Sequence, residues 1–210
     1  KLPFRESKDP YAIWVSEIMA QQTRIETMLP YYERWMQEYP TVTALATAPL
    51  EKVLKSWEGL GYYNRARKLH EGAKQVVEQY QGQLPSDVEE LEKISGIGPY
   101  TAGAIASIAF GMPAPAVDGN VLRVITRLLE IDDDISKQKT VKKVKAIVSE
   151  MMIGSNPSDF TQGLMELGAL VCMPQVILCK ECPLNQKCLG YAHQTQMNFP
   201  VKTKPKKAPV

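Results

Sequence analysis

The sequence predicts an all-α fold, and three observations carry that prediction. Helix-start signals recur along the chain: Asp9-Pro10, further prolines at Pro30, Pro49 and Pro99, and the capping pattern Ser86-Asp-Val-Glu89. No run of alternating β-branched residues bounded by hairpin-turn residues argues for a sheet. The third is a segment, residues 94–117, that carries no charged side chain and ends at Asp118.

The elements follow in order. Asp9 supplies an acceptor and Pro10 a first helical residue for YAIWVSEIMAQQ, where Ile13, Ile18 and Met19 lie near helical spacing. Pro30, Pro49 and Pro99 are each expected to open a further helix in the same way. Ser86 with Glu89 reads as a capping box that starts a short helix stopping at Gly96. Residues 139–152 and 159–171 read as two more helices. Pro99, Pro113, Pro115 and several glycines break the uncharged segment well short of the roughly 20 continuous apolar residues of a membrane span, so a buried core helix is expected there. The turn before Asp118 is a plausible handover between two helical layers. After Pro200 the sequence VKTKPKKAPV is basic and proline-rich without apolar periodicity, and reads as a tail or linker.

The 210 residues, 44% of them hydrophobic, can bury a real core in one large or two small domains. Twenty-five Lys and Arg against 23 Asp and Glu leave a net charge of +2, so any nucleic-acid surface must be a local patch. The first residues have no signal-peptide layout, so a cytoplasmic compartment is expected, and Lys1 in place of Met suggests a trimmed chain or fragment.

All four cysteines, Cys172, Cys179, Cys182 and Cys188, fall in one C-x6-C-x2-C-x5-C cluster. In a reducing compartment four thiolates within reach of one point read as a metal site, and both zinc and an iron-sulfur cluster accept such a set. The glycines of Gly96-Ile-Gly98, followed by Pro99, read as a tight helix-hairpin-helix. It is either an ordinary turn between helices or a place where backbone N–H groups and a helix N-terminus meet a phosphate.

Several segments then coincide: WVSEIMAQQT at 14–23, WEGLGYYNRAR at 57–67, ISGIGPYTAGAI at the hairpin, AVDGNVLRV at 116–124, MELGALVC at 165–172, and the cysteine cluster. Together they resemble adenine DNA glycosylases of the MutY type, within the helix-hairpin-helix glycosylases, over nearly the whole chain. The resemblance implies a six-helix barrel subdomain over 1–112, with the hairpin at about 86–110. It implies an iron-sulfur subdomain over 113–200 that carries the catalytic aspartate, a DNA cleft between the two, and 201–210 as a tail toward a further domain. It implies removal of a flipped-out adenine from double-stranded DNA in which it is mispaired with 8-oxoguanine or guanine. It also implies one 4Fe-4S cluster on the four cysteines, a monovalent cation at the hairpin, and a monomer with no membrane partner.

Cleaving a carbon-nitrogen glycosidic bond needs a proton on the leaving base and a negative charge near the sugar cation, the tasks that paired carboxyl groups divide in glycoside hydrolysis. Glu17, among Trp14, Val15, Ile18 and Met19, suits the acid, because such surroundings favour the neutral carboxyl. Asp118, near a helix start, suits the charge. In the endonuclease III branch the position two after the second hairpin glycine carries a lysine that attacks the sugar and allows strand cleavage. Here it is Tyr100, which cannot form a Schiff base, so hydrolysis without strand cleavage is expected. Its hydroxyl would bond Asp118 or a water, and Asn120 would orient the water or the aspartate. The resemblance assigns further DNA contacts to Arg5, Gln22, Thr23, Gly96, Gly98 and Gln162, with Tyr62 either a wedge stacked into the duplex or a core aromatic.

Lys137, Lys139, Lys142, Lys143 and Lys145 read as a solvated helix face in preference to a phosphate-contacting stretch, and His70 and His193 are assigned no role. Ala20 and Phe4 depart from the family's usual Leu and Trp. The family's N-terminal helix and NUDIX-like domain lie outside these residues, so weak discrimination between 8-oxoguanine and guanine opposite adenine is expected. A thymine-mismatch glycosylase and a non-catalytic DNA-binding module are the competing readings.

Overall fold

A computed structural model describes residues 7–203, so Phe4, Arg5 and the last seven residues lie outside the described chain. Among the described residues the secondary structure is helical with no β-strand, and one antiparallel bridge pairs Cys172 with Ile177. The chain divides into two compact units, Lys1–Ala114 and Pro115–Val210.

The first unit holds helices α1 (Pro10–Ala20), α2 (Ile25–Glu38), α3 (Val42–Thr47), α4 (Leu50–Ser56), α5 (Asn64–Tyr80), α6 (Val88–Glu92) and α7 (Pro99–Phe110). Asp9 caps α1 by accepting from Tyr11 N, with Pro10 in the first turn. Pro99 opens α7 in the same position, behind Gly98. Three expected starts fall elsewhere. Pro30 lies inside α2, which begins at Ile25 behind Arg24 with no side-chain cap. Pro49 is the residue before α4 rather than its first. The acceptor at α6 is Asp87, one residue after Ser86, which takes Glu90 N at 3.0 Å, and the helix stops at Glu92.

The uncharged segment has a simple cause. Residues Tyr11 to Met19 of α1 and Thr101 to Ile108 of α7 are buried on every face. The two helices pack against each other, with α2 and α5 on α1 and α6 on α7. A helix without a solvent side has nowhere to put a charge, because an unpaired buried ion costs several kcal/mol or more. Small residues keep the approach close. On α5, a Cβ at Gly72 would lie 2.3 Å from the Ser95 carbonyl oxygen and 2.8 Å from the Trp14 ring. Aromatic packing completes this core: the Trp35 ring meets Tyr39 at 4.9 Å and Trp57 at 5.5 Å, both edge-on. The Trp35 Nε1–H donates to Tyr11 Oη, whose hydroxyl donates to the Tyr39 carbonyl.

His70 on α5 is buried and its Nε2–H donates to the Ala48 carbonyl at 2.9 Å. Burial pushes its imidazole below the ordinary value of 6.5, the carbonyl bond opposing this and Lys74 adding to it. The unfolded chain therefore takes up the proton at a higher pH than the folded one. The stability contributed by neutral His70 is complete above pH 6.5 and is lost as the pH falls through the folded-state value. Urea midpoints at pH 7.5 and 5.5 should fall more steeply for the natural chain than for His70→Gln, which keeps a donor for Ala48 and cannot titrate.

The second unit holds α8 (Gly119–Leu129), α9 (Gln138–Met151), α10 (Pro157–Glu166) and α11 (Leu189–Ala192). Around α8 pack α9, α10, α11 and the five residues Leu167–Val171, which continue α10 as one wider helical turn. The regular part of α10 starts two residues before the expected 159, behind the cap Asn156 and Pro157, and ends at Glu166. Its core joins Val121, Val124, Ile125 and Leu128 of α8 to Val144, Val148 and Leu164. On α9, Lys142 and Lys143 are exposed, and Lys143 pairs with Asp133 at 2.6 Å.

Candidate active site and nucleic-acid interface

Because α1 is buried all round, a carboxyl on it is buried too: Glu17 is 7% exposed. Tyr100, the second residue of α7, donates its hydroxyl to Glu17 Oε2 at 2.8 Å. The packing of α1 on α7 thus brings together an acid and a phenol that lie 83 residues apart in sequence. The sequence offers no sign of Glu17 as a partner of that hydroxyl.

The hairpin before α7 has the backbone its glycines permit. Gly96 sits at φ +83°, in the left-handed region, with the Lys68 backbone 3.3 Å from where a Cβ would be. Gly98 precedes α7, a 12-residue helix, with no side-chain cap hydrogen bond. A cavity of about 630 Å³ brings both glycines together with Tyr62, Gln21, Arg65 and Lys68. Tyr62 is 65% exposed at φ +47°, so it is no core aromatic. Gln22 is exposed and also left-handed, at φ +57°.

Arg65 organises this region and sequence reasoning missed it. Its guanidinium donates to the carbonyls of Ile18, Met19 and Gln21 at the end of α1, to those of Leu60 and Gly61, and to Thr23 Oγ1. It also lies 5.1 Å from the centre of the Trp57 ring and 5.6 Å from that of Tyr62. One side chain therefore fixes the loop carrying Gln22 and the loop carrying Tyr62, and engages the Thr23 hydroxyl. Desolvation pushes Arg65 below its ordinary value.

In the second unit Asp118 is the N-cap of α8. Its Oδ1 accepts from Val121 N at 2.8 Å and its Oδ2 from Asn120 Nδ2 at 2.9 Å. Asn120 Oδ1 in turn accepts from Arg123 Nη2, which also donates to the Gly168 carbonyl, while Arg123 Nε donates to the Cys172 carbonyl. Burial pushes Arg123 down, Arg127 adding to this and Cys172 and Asp118 opposing. Gln162, on α10, donates to Ser158 Oγ at 3.2 Å.

The four cysteines carry free thiols and all line one small cavity, together with Arg127, Asn185, Tyr191 and Gln196. Arg127, one helical turn after Arg123, donates to the carbonyls of Met173 and Pro174 and reaches Cys172 Sγ at 3.5 Å. Burial pushes the Cys179 and Cys182 thiols up, their neighbouring thiols adding to it. Among the described residues no three His, Cys, Asp or Glu converge closely enough to hold a single metal ion. None of the helices described is long and apolar enough to cross a membrane.

A helical protein with a glycine hairpin, a buried carboxyl beside it and a capping aspartate falls within a known class of repair proteins. The model of the HhH-GPD superfamily of base excision DNA repair proteins matches residues 15–150, and the chain belongs to that superfamily. Within it, the human adenine DNA glycosylase is 48% identical over 179 residues, covering 85% of this chain and 33% of the relative. The chain thus spans about a third of the length of the mammalian relatives it matches. Among solved structures, a thermostable thymine-DNA glycosylase is similar with a TM-score of 0.82 and 27% identity, covering 92% of this chain and 89% of that one. A non-covalent endonuclease III–DNA complex follows with a TM-score of 0.73 and 27% identity, covering 90% and 86%.

Proposed function

We infer that this chain is the catalytic part of an adenine DNA glycosylase, which binds duplex DNA and hydrolyses the bond between deoxyribose and an adenine mispaired with 8-oxoguanine or guanine. The observation that carries the reading is the buried Glu17 carboxyl held by the Tyr100 hydroxyl at the start of the hairpin helix. The similarity to adenine DNA glycosylases gives the base.

In this reading Glu17 protonates the leaving adenine, so that the electron pair of the breaking carbon-nitrogen bond departs on a neutral base. Asp118, whose carboxyl oxygens accept from Val121 N and Asn120 Nδ2, faces the sugar cation until water adds at the same carbon and passes its proton to the Glu17 carboxylate left by the first step. Tyr100 positions Glu17. It supplies no amine, so the product is an abasic strand left whole. The hairpin amides at Gly96 and Gly98 take a phosphate of the duplex, and Tyr62, with its exposed ring, is the wedge.

A 4Fe-4S cluster belongs to the same reading. The donor set suits it: four free thiols line one cavity with the Arg127 guanidinium beside them. Cys172, Cys179, Cys182 and Cys188 would hold the cluster as thiolates, and it would fix the loop 172–188 to α8.

The test is a duplex with one adenine opposite 8-oxoguanine, each incubated sample being divided between direct denaturing electrophoresis and prior alkali treatment. Strand scission only after alkali is expected. Scission without alkali would contradict the role given to Tyr100, and no product despite duplex binding would favour the non-catalytic module. The likeness to a thymine-DNA glycosylase keeps one rival in view. Thymine opposite guanine in the same assay decides it, and faster release of thymine than of adenine would replace the adenine reading.

A further inference from the structure

Gln196 lies in the turn Gln196–Asn198 that follows α11, and it lines the four-cysteine cavity. Among the described residues its Oε1 is buried without a hydrogen-bond partner. Leaving a buried amide oxygen unsatisfied forfeits its hydration without return, so such a group in a well-packed place calls for a missing partner. The place is well packed. A Cβ at Gly190 of α11 would lie 2.5 Å from the Arg127 carbonyl oxygen and 3.4 Å from Gln196 Cα, so only a glycine there lets the Gln196 backbone sit this close to α8. Thr195 N, one residue earlier, is tied to the Gly190 carbonyl at 2.8 Å.

The oxygen and nitrogen of a glutamine amide exchange places by a half-turn about the last side-chain bond. A carbonyl oxygen facing four thiolates would be repelled. An N–H facing them would be attracted, and sulfur is the acceptor this cavity is built to hold.

We propose that Gln196 is a positioning residue for the iron-sulfur cluster, turning its amide N–H toward a ligand sulfur and so favouring the more electron-rich state of the group bound there. Arg127, with Nη1 3.5 Å from Cys172 Sγ, gives one N–H donor to this cavity, and Gln196 gives a second from a separate element. The proposal rests on the cysteines holding a cluster. Its residue comes from outside the C-x6-C-x2-C-x5-C pattern, eight positions beyond the last cysteine.

The experiment uses the protein purified with its iron, in the natural form and as Gln196→Leu, which keeps the bulk and removes the donor. Iron and acid-labile sulfide are measured first, then the midpoint potential on an electrode with duplex DNA present. The expected result is equal iron in both proteins and a potential more negative in the variant by a tenfold change in the reduction equilibrium, about 59 mV for one electron. Less than a twofold change at equal iron content overturns the proposal. A natural protein without iron overturns the cluster reading instead.

If the leucine variant fails to load iron, the natural protein labelled with ¹⁵N in its glutamine side chains gives the answer by pulsed electron paramagnetic resonance of the paramagnetic cluster. A coupled amide ¹⁵N that persists in Gln194 and Gln162 variants and is lost in Gln196→Asn supports the bond. A spectrum without any ¹⁵N coupling overturns it.

Discussion

Glu17→Gln is expected to lower the single-turnover rate of adenine release by about 10²–10⁴-fold, the range associated with a positioned general acid, while duplex affinity stays within roughly twofold. The substitution separates proton from shape. Glutamine keeps the side-chain length and presents an oxygen that can still accept the Tyr100 hydroxyl, so the contact at 2.8 Å between α7 and α1 survives. What disappears is the carboxyl proton. Buried at the centre of a helix with no solvent face, Glu17 has few other routes by which a change could reach the DNA. Rapid-quench measurement with enzyme in excess checks the prediction, and a natural rate in the variant would remove Glu17 from the chemistry.

Asp118→Asn is expected to cost about 10²–10³-fold in the same assay, as the loss of a preorganised charge does elsewhere. Asparagine is as good an N-cap as aspartate, so the Val121 N bond and α8 itself should hold, and the melting temperature should change little. The second oxygen is another matter. Asn120 Oδ1 is committed to Arg123 Nη2, which turns the Asn120 NH₂ toward Asp118. An asparagine at 118 that keeps its oxygen on Val121 N then meets that NH₂ with its own. Only a carboxylate accepts from both sides at once. Asp118→Ala would remove the cap as well, costing about 1 kcal/mol of stability. A thermal melt beside the rate measurement separates the two effects.

The contrast between Asp118 and the arginines around it shows what the sequence could and could not reveal. A cap is local: Asp9, Asp87, Asp118 and Asn156 each bond an amide two or three residues on, so acceptor-then-helix patterns announce them. The error at Ser86 was one of register within such a pattern. Helix α2 escaped because its start at Ile25 has no capping side chain to mark it, and Pro30 drew attention to the wrong place. The cysteines and the Glu17 helix were legible as composition and spacing. Arg65, Arg123 and Arg127 were not, because most of their partners are backbone carbonyls, many more than 40 residues away. A carbonyl belongs to every residue and leaves no complementary letter in the sequence. Gln196 was invisible for a related reason, since its neighbours come together only once α11 lies on α8. The bond from Tyr100 to Glu17 needed the packing of two helices before it could be seen.

The burial of α7 on all sides also governs how the hairpin moves. An amide in a helix with an exposed face can exchange its hydrogen through a brief local opening, but Thr101 to Ile108 have no such face. Their exchange must wait for α1, packed alongside, to separate from them, which is an event on the scale of the first unit. Gly98 and Pro99 are continuous with this slowest-opening segment, whereas Tyr62 and Gln22 sit in loops tied down by the Arg65 side chain. The N-terminal end of α7 is therefore a fixed reference on the molecule, while the two loops beside it depend for their position on a single side chain.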